Sequence, residues 1–180
     1  MKENELKALM RATLIAGLAS AGYAGIKVKQ SYQPTTQGRE NAPTLYYAQI
    51  LPTQKVGKPW HIQEYDVTTD DIITTQVQNL LTTYQIQATA PVSVTDTSLP
   101  TPGDIALAAT QVIESWPFIA ALQAKGAGVC NTTAIRPMQV QNDMDQFEDI
   151  PSFDFTLAHQ DIIILTGPAL QGTELNIQRV

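Results

Sequence analysis

Apolar residues recur along this chain at two different periods, and the changes of period fix the class of fold it can adopt. Leu6, Leu9, Met10, Leu14, Leu18 and Ala21 fall at helical spacing, so residues 4–21 predict an amphipathic helix stopped at Gly22. "IKVKQSY" then switches to alternation, with Ile26, Val28 and Gln30 against Lys27 and Lys29, which predicts a half-buried strand. "TLYYAQIL", stopping at Pro52, and "WHIQEYDV" predict two more, with "PTQKVGKP" between them as a hairpin or extended loop. In residues 70–90 the second half alternates through Tyr84, Ile86 and Ala88, while the first half fits helix or strand.

A second helical stretch begins with its own signal. In "TPGD", Thr101 suits the N-cap, Pro102 the first helical position and Asp104 the third, and Ile105, Ala108, Ala109, Val112, Ile113 and Trp116 follow at helical spacing. Pro117 breaks or kinks this helix, and "FIAALQAKGAG" is its continuation or a short further helix ended at Gly126. The last fifty residues read as strand: Phe153, Phe155 and Leu157 share one face of "PSFDFTLAHQDIII", "LTGPALQG" is turn-like, and Leu175 and Ile177 share one face of "TELNIQRV". The fold class is therefore α+β, an antiparallel or mixed sheet with two to three helices packed on it. At 180 residues, with no repeat and no long linker, a single domain spanning 1–180 is expected, with an extended loop or arm near 31–43.

Charged residues make up only 16% of the chain, so polarity comes from 21 Thr and 18 Gln. These groups satisfy hydrogen bonds without the desolvation cost of a charge, which suits a surface covered by other subunits; strand propensity of Thr is the alternative reading. Residues 1–60 carry eight Lys and Arg against three Asp and Glu, and residues 61–180 carry three against fourteen, a split of +5 and −11. Such asymmetry suits head-to-tail contacts between copies, or a dipolar monomer. An acidic total of −6 with no basic stripe argues against nucleic-acid binding. One cysteine, Cys130, excludes an internal disulfide framework, and the "LIAGLASAGYAG" run is too short for a membrane span and lacks a signal-peptide charge layout, so an unexported protein with no membrane partner is expected.

Catalytic and cofactor motifs are sparse. His61 and His159 lie in strand-like alternation with no Cys pair nearby, and "GAGVCN" ends a helix where a dinucleotide loop must begin one. "NDMDQFED" has Glu148 where a calcium loop requires Gly, and reads as a solvated acidic loop or a partner-facing patch. No cofactor, no metal and no enzymatic activity are expected. The rival reading is a hydrolase built on His159, Asp161 and Asp154.

Four stretches together, "YQPTTQG", "PTLYYAQIL", "PGDIALAATQVIES" and "PSFDFTLAH", resemble tailed-bacteriophage neck proteins, the tail terminators of contractile-tailed phages. The sharpest pieces are Tyr32-Gln33-Pro34-Thr35 with Gln37-Gly38, and Pro151-Ser152-Phe153-Asp154; residues 55–100 carry none of the likeness. The resemblance implies a structural virion protein at the neck, assembled in the host cytoplasm. It implies a homo-oligomer, a hexameric ring capping the tail tube, with tube, sheath and head-completion proteins as partners and DNA passing through unbound. On that reading Tyr32, Gln33, Pro34, Thr35, Gln37, Gly38 and Arg39 form a subunit or partner interface, and Asp143, Asp145, Glu148 and Asp149 are candidates to face the channel. A self-packed surface loop is the other reading of residues 31–41. A head–tail stopper or a baseplate adaptor ring protein is the structural alternative to a terminator.

Overall fold

The computed structural model describes residues 2–31, 42–91, 99–141 and 147–168. Helix α1 (Glu3–Ser20) buries Leu6, Met10, Leu14 and Leu18, one row at i, i+4 spacing. It ends as its sequence requires: Gly22 takes a φ of 91° and Tyr23 N–H reaches back to the Leu18 carbonyl at 2.9 Å. Helix α2 (Pro102–Glu114) starts on the expected reciprocal cap. Asp104 N–H donates to Thr101 Oγ1 at 3.2 Å, and Thr101 N–H donates to Asp104 Oδ2 at 3.0 Å. Hydrogen bonds from Thr101 also hold the Asp104 carboxyl below its ordinary range. Pro117 cannot continue α2, so the chain turns through an extended Ser115 and restarts as α3 (Trp116–Gln123), bent 52° from α2. Gly126, at φ 74°, closes α3 and leads into strand rather than into a phosphate loop.

Eight strands complete the described chain: β1 (Lys27–Gln30), β2 (Thr44–Gln49), β3 (Gln54–Asp66), β4 (Asp71–Thr89), β5 (Ala127–Thr132), β6 (Gln139–Gln141), β7 (Phe147–Asp149) and β8 (Ser152–Pro168). β6 and β7 form a small hairpin, and the other six make one sheet in the order β1-β2-β4-β8-β5, with β3 also on β4. The sheet is mixed because β1 and β2 run parallel, and every other pair is antiparallel. A parallel pair needs a crossover of about a dozen residues, which accounts for the length of chain between β1 and β2.

Helices cover one face of the sheet's body. Tyr84, Ile86 and Ala88 of β4 and Phe153, Phe155 and Leu157 of β8 are buried there with Leu45, Val28, Ile105, Ile113, Phe118 and Leu122. Tyr84 and Phe155, directly opposite in register, stack with centroids 5.7 Å apart. The structure differs from the sequence reading in two places and decides a third. "PTQKVGKP" is not a hairpin: from Gln54 it belongs to β3, which absorbs Gly57 and Pro59 as a bulge between Val56 and Trp60. The undecided first half of 70–90 is strand. "LTGP" extends β8 to Pro168 rather than turning, because β4 offers a paired residue opposite each of its positions. "TELNIQRV" lies outside the described residues.

Gly17 sets how closely α1 approaches α2. A Cβ there would stand 2.3 Å from Val112 Cγ1, and a valine side chain has little freedom to yield. Helix propensity alone favours Gly17→Ala by about 1 kcal/mol, but overpacking of this kind costs about 1–3 kcal/mol. Gly17→Ala should therefore lower the thermal midpoint, and adding Val112→Ala should recover part of the loss; a midpoint raised by the single substitution would contradict this packing.

Candidate interaction surface

β4 is twice as long as the body needs. Its second half lies under the helices, while residues 71–81 run on with β3 on one side and residues 158–168 of β8 on the other. The result is a three-stranded arm about 34 Å long at 3.4 Å per residue. Register puts Trp60, Val77 and Ile162 in one row across it, then Ile62, Thr75 and Ile164, then Glu64, Ile73 and Thr166. On the opposite face the rows are His61, Gln76 and Ile163; Gln63, Thr74 and Leu165; Tyr65, Ile72 and Gly167.

Both faces are open. Ile164 is 64% exposed, Leu165 56% and Trp60 48%, whereas Val77, in the middle of its row, is 4% exposed and is shielded by its neighbours across the strands. Ile162, Ile163, Ile164 and Leu165 are four consecutive apolar residues, a pattern that fits a strand covered on both faces. Here both faces meet solvent in the single chain, and the apolar residues gather most densely on the face of Trp60, Val77, Ile162, Ile62 and Ile164, which makes that face a candidate interaction surface. At the tip, Tyr65 Oη donates to Asp70 Oδ1 at 2.5 Å and Thr68 N–H donates to Asp66 Oδ1 at 2.8 Å, which fixes the β3–β4 turn with Asp70 at φ 57°.

Where arm meets body, a short polar chain runs inward from exposed Thr53 to buried Thr82 and His159. Thr53 Oγ1 lies 3.2 Å from Thr82 Oγ1, which lies 3.1 Å from His159 Nε2; His159 Nδ1 is buried with no partner among the described residues. The sheet's other face carries Thr83 Oγ1 and Thr156 Oγ1 3.0 Å apart, Gln85 donating to Asp154 at 3.2 Å, and Arg136 donating to the same Asp154 oxygen at 2.6 Å. Asp154 and His159 therefore sit on opposite faces of β8. The hydrolase constellation is not brought together: only Asp161 shares a face with His159. Among the described residues no three His, Cys, Asp or Glu come close enough to hold a metal.

Tyr32, Gln33, Pro34, Thr35, Gln37, Gly38 and Arg39 lie outside the described residues, as do Asp143 and Asp145. Glu148 pairs through its backbone with Val140, and Asp149, exposed, pairs with Gln139 in the β6–β7 hairpin. The apolar arm was not singled out from sequence. Its signal is the unbroken "IIIL" run, which the sequence reading divides between a strand end at Ile164 and a turn beginning at Leu165.

A family model, E217 gateway protein gp29, matches residues 5–169, from the first turn of α1 to one residue beyond β8. The chain belongs to this family. It is a phage neck or connector family, which agrees with the coarser part of the resemblance seen in the sequence. No curated protein matches the chain.

Burial pushes the His159 imidazole below its ordinary range, partly offset by the Asp161 and Glu3 carboxylates. In the unfolded chain it titrates near pH 6.5, so below that pH the unfolded state binds more protons and the folded state loses ground. Stability to denaturant should therefore fall as pH drops below about 6.5 and level off once the pH is below the lower folded value. His159→Gln should flatten that slope, and an equally steep slope in the variant would remove His159 as its cause.

Proposed function

We propose that this protein is a structural ring subunit of the phage neck, a tail terminator that closes the tail tube and presents a surface to the head-completion proteins. The observation that carries this reading is the β3–β4–β8 arm, which leaves Trp60, Ile62, Ile162, Ile163, Ile164 and Leu165 exposed in the single chain. Membership of the gateway family supports the neck location. The work is then assembly: burying the arm supplies the driving force, and no bond need be made or broken.

Charge fits this role. The acidic excess after residue 60 disfavours grip on DNA, and a channel bordered by Asp143, Asp145, Glu148 and Asp149 would let phosphates slide past. The 31–43 connection, with Tyr32 and Pro34, is the second contact surface in this reading.

Light scattering on the purified protein, alone and mixed with tail tubes, tests it directly. A ring-sized mass, or a monomer that joins tubes only at one end, is expected. Ile162→Asp with Ile164→Asp places two carboxylates in the centre of the arm face and should weaken either association thirtyfold or more, on the order of one interface hot spot. A wild-type monomer that ignores tubes, or a double variant that assembles unchanged, would sink the proposal.

A further inference from the structure

Both long edges of the arm open at the same level. On β3 the guard against stray pairing is confined to the root, where Lys55, Lys58, Pro59 and the bulge between Val56 and Trp60 interrupt the edge. On β8 the root is covered by β5, which reaches from Phe155 to His159. Beyond these points the register to β4 is regular on both sides, so Trp60 to Asp66 and Ile162 to Pro168 fill the same seven rows. Among the described residues no strand lies outside either stretch. Alternate residues of each therefore present backbone N–H and C=O groups outward.

We propose that the β8 edge of one copy pairs with the β3 edge of a second copy, so that the sheet of the arm runs on from subunit to subunit. This rests on the ring reading above and names the contact that closes the ring. β3 and β8 are both antiparallel to β4 and so parallel to each other, and a copy related by rotation sets them side by side as a parallel pair. Because the two edges occupy the same rows, the copies meet without a slip along the strands. Ile162 then comes beside Trp60 of the second copy and Ile164 beside its Ile62 on one face. On the other face Gly167 comes beside Tyr65 of the second copy and leaves room for the ring. A slip of two residues sets Thr166 against Ile62 in one direction, or Ile164 against Glu64 in the other, and loses this match.

A second copy fits these edges because head-to-tail pairing occupies both of them in every subunit. β8 against β8 about a twofold axis would leave each β3 edge bare. Charge agrees: in the head-to-tail register Glu64 and Asp66 face Thr166 and Pro168, so no carboxylate opposes another. The row of Trp60, Val77 and Ile162 is continued by Trp60 of the next copy, which extends the most apolar face across the contact. Main-chain bonds supply the attraction in strand addition of this kind, and the alternating side chains select the strand that is added.

Paired cysteines test it. Within one copy Ile62 and Ile164 flank Thr75, two strand spacings or about 9–10 Å apart, beyond the ~7 Å that a disulfide spans, so a bridge between them joins two copies. In a Cys130→Ser background, Ile62→Cys with Ile164→Cys, oxidised in the assembled state, should give a ladder of covalent dimers and larger species under denaturing, non-reducing conditions. Each single variant should stay monomeric, and Ile62→Cys with Leu165→Cys, on opposite faces, should bridge at least tenfold less. Monomers from the first pair, in protein that assembles by light scattering, overturn the proposal and leave the ring reading standing. Dimers from Ile164→Cys alone overturn it in favour of a twofold contact, and wild-type protein that never associates overturns both. Independently, hydrogen exchange of alternate amides in both 60–66 and 162–168 should slow at least tenfold when the wild-type protein assembles. Slowing at one edge only, or full protection of 162–168 in the unassembled chain, overturns the proposal even if the cysteine variants do not fold.

Discussion

Everything in this molecule depends on the pairing of β4 with β8. β8 is seventeen residues long and each of its residues has a partner on β4, in one unbroken antiparallel register. A register with a period of two cannot slip by one without moving Tyr84, Ile86, Phe153, Phe155 and Leu157 from the core to the opposite face. The buried half of the ladder therefore fixes the register of the exposed half. That is how an arm with little covering of its own keeps its residues in defined rows: rigidity is borrowed from the body, through the same two strands.

The helices and the body of the sheet were legible in the sequence because local chemistry and burial point the same way there. Thr101 and Asp104 cap α2 as their spacing requires, Pro117 ends it, and the Phe153, Phe155 and Leu157 alternation reports one wet and one dry face. Where an element is exposed on both faces, alternation carries no such information. β3 is exposed at nearly every position, and Gly57 and Pro59 look like loop punctuation until β4 is seen beside them. The first half of β4 is half-buried residue after residue, so its apolar and polar side chains follow neither period. Parallel pairing of β1 with β2 is a relation between distant segments that no local pattern encodes.

The abundance of Thr and Gln finds a physical place in this arrangement. On the sheet face away from the helices, Thr83 meets Thr156, and Gln85 and Gln87 hydrogen-bond in line with Asp154 and Arg136. Uncharged groups that satisfy one another tolerate either water or a neighbouring protein surface, since neither state strands a charge. A face of this kind changes little in free energy on being covered, and the apolar arm changes much more. Affinity in an assembly would then come from the arm, with the amide-rich face supplying fit without strong attraction of its own.

The junction between body and arm is a place where the interior turns polar on both β4 and β8. Thr82 and His159 stand on the helix-facing side, one step beyond Tyr84 and Leu157, and both are buried. An aliphatic pair there would extend the dry core and bind the arm's root more simply; instead each hydroxyl and ring nitrogen must find a partner, and His159 Nδ1 finds none among the described residues. A neutral imidazole held by a single hydrogen bond is a weak joint compared with the packing behind it. The β4–β8 ladder runs through this joint without a break, so the register of the arm is held by backbone pairing and not by these side chains. The polar pair therefore marks where the dry core ends, while the seventeen-residue register stays as the body dictates.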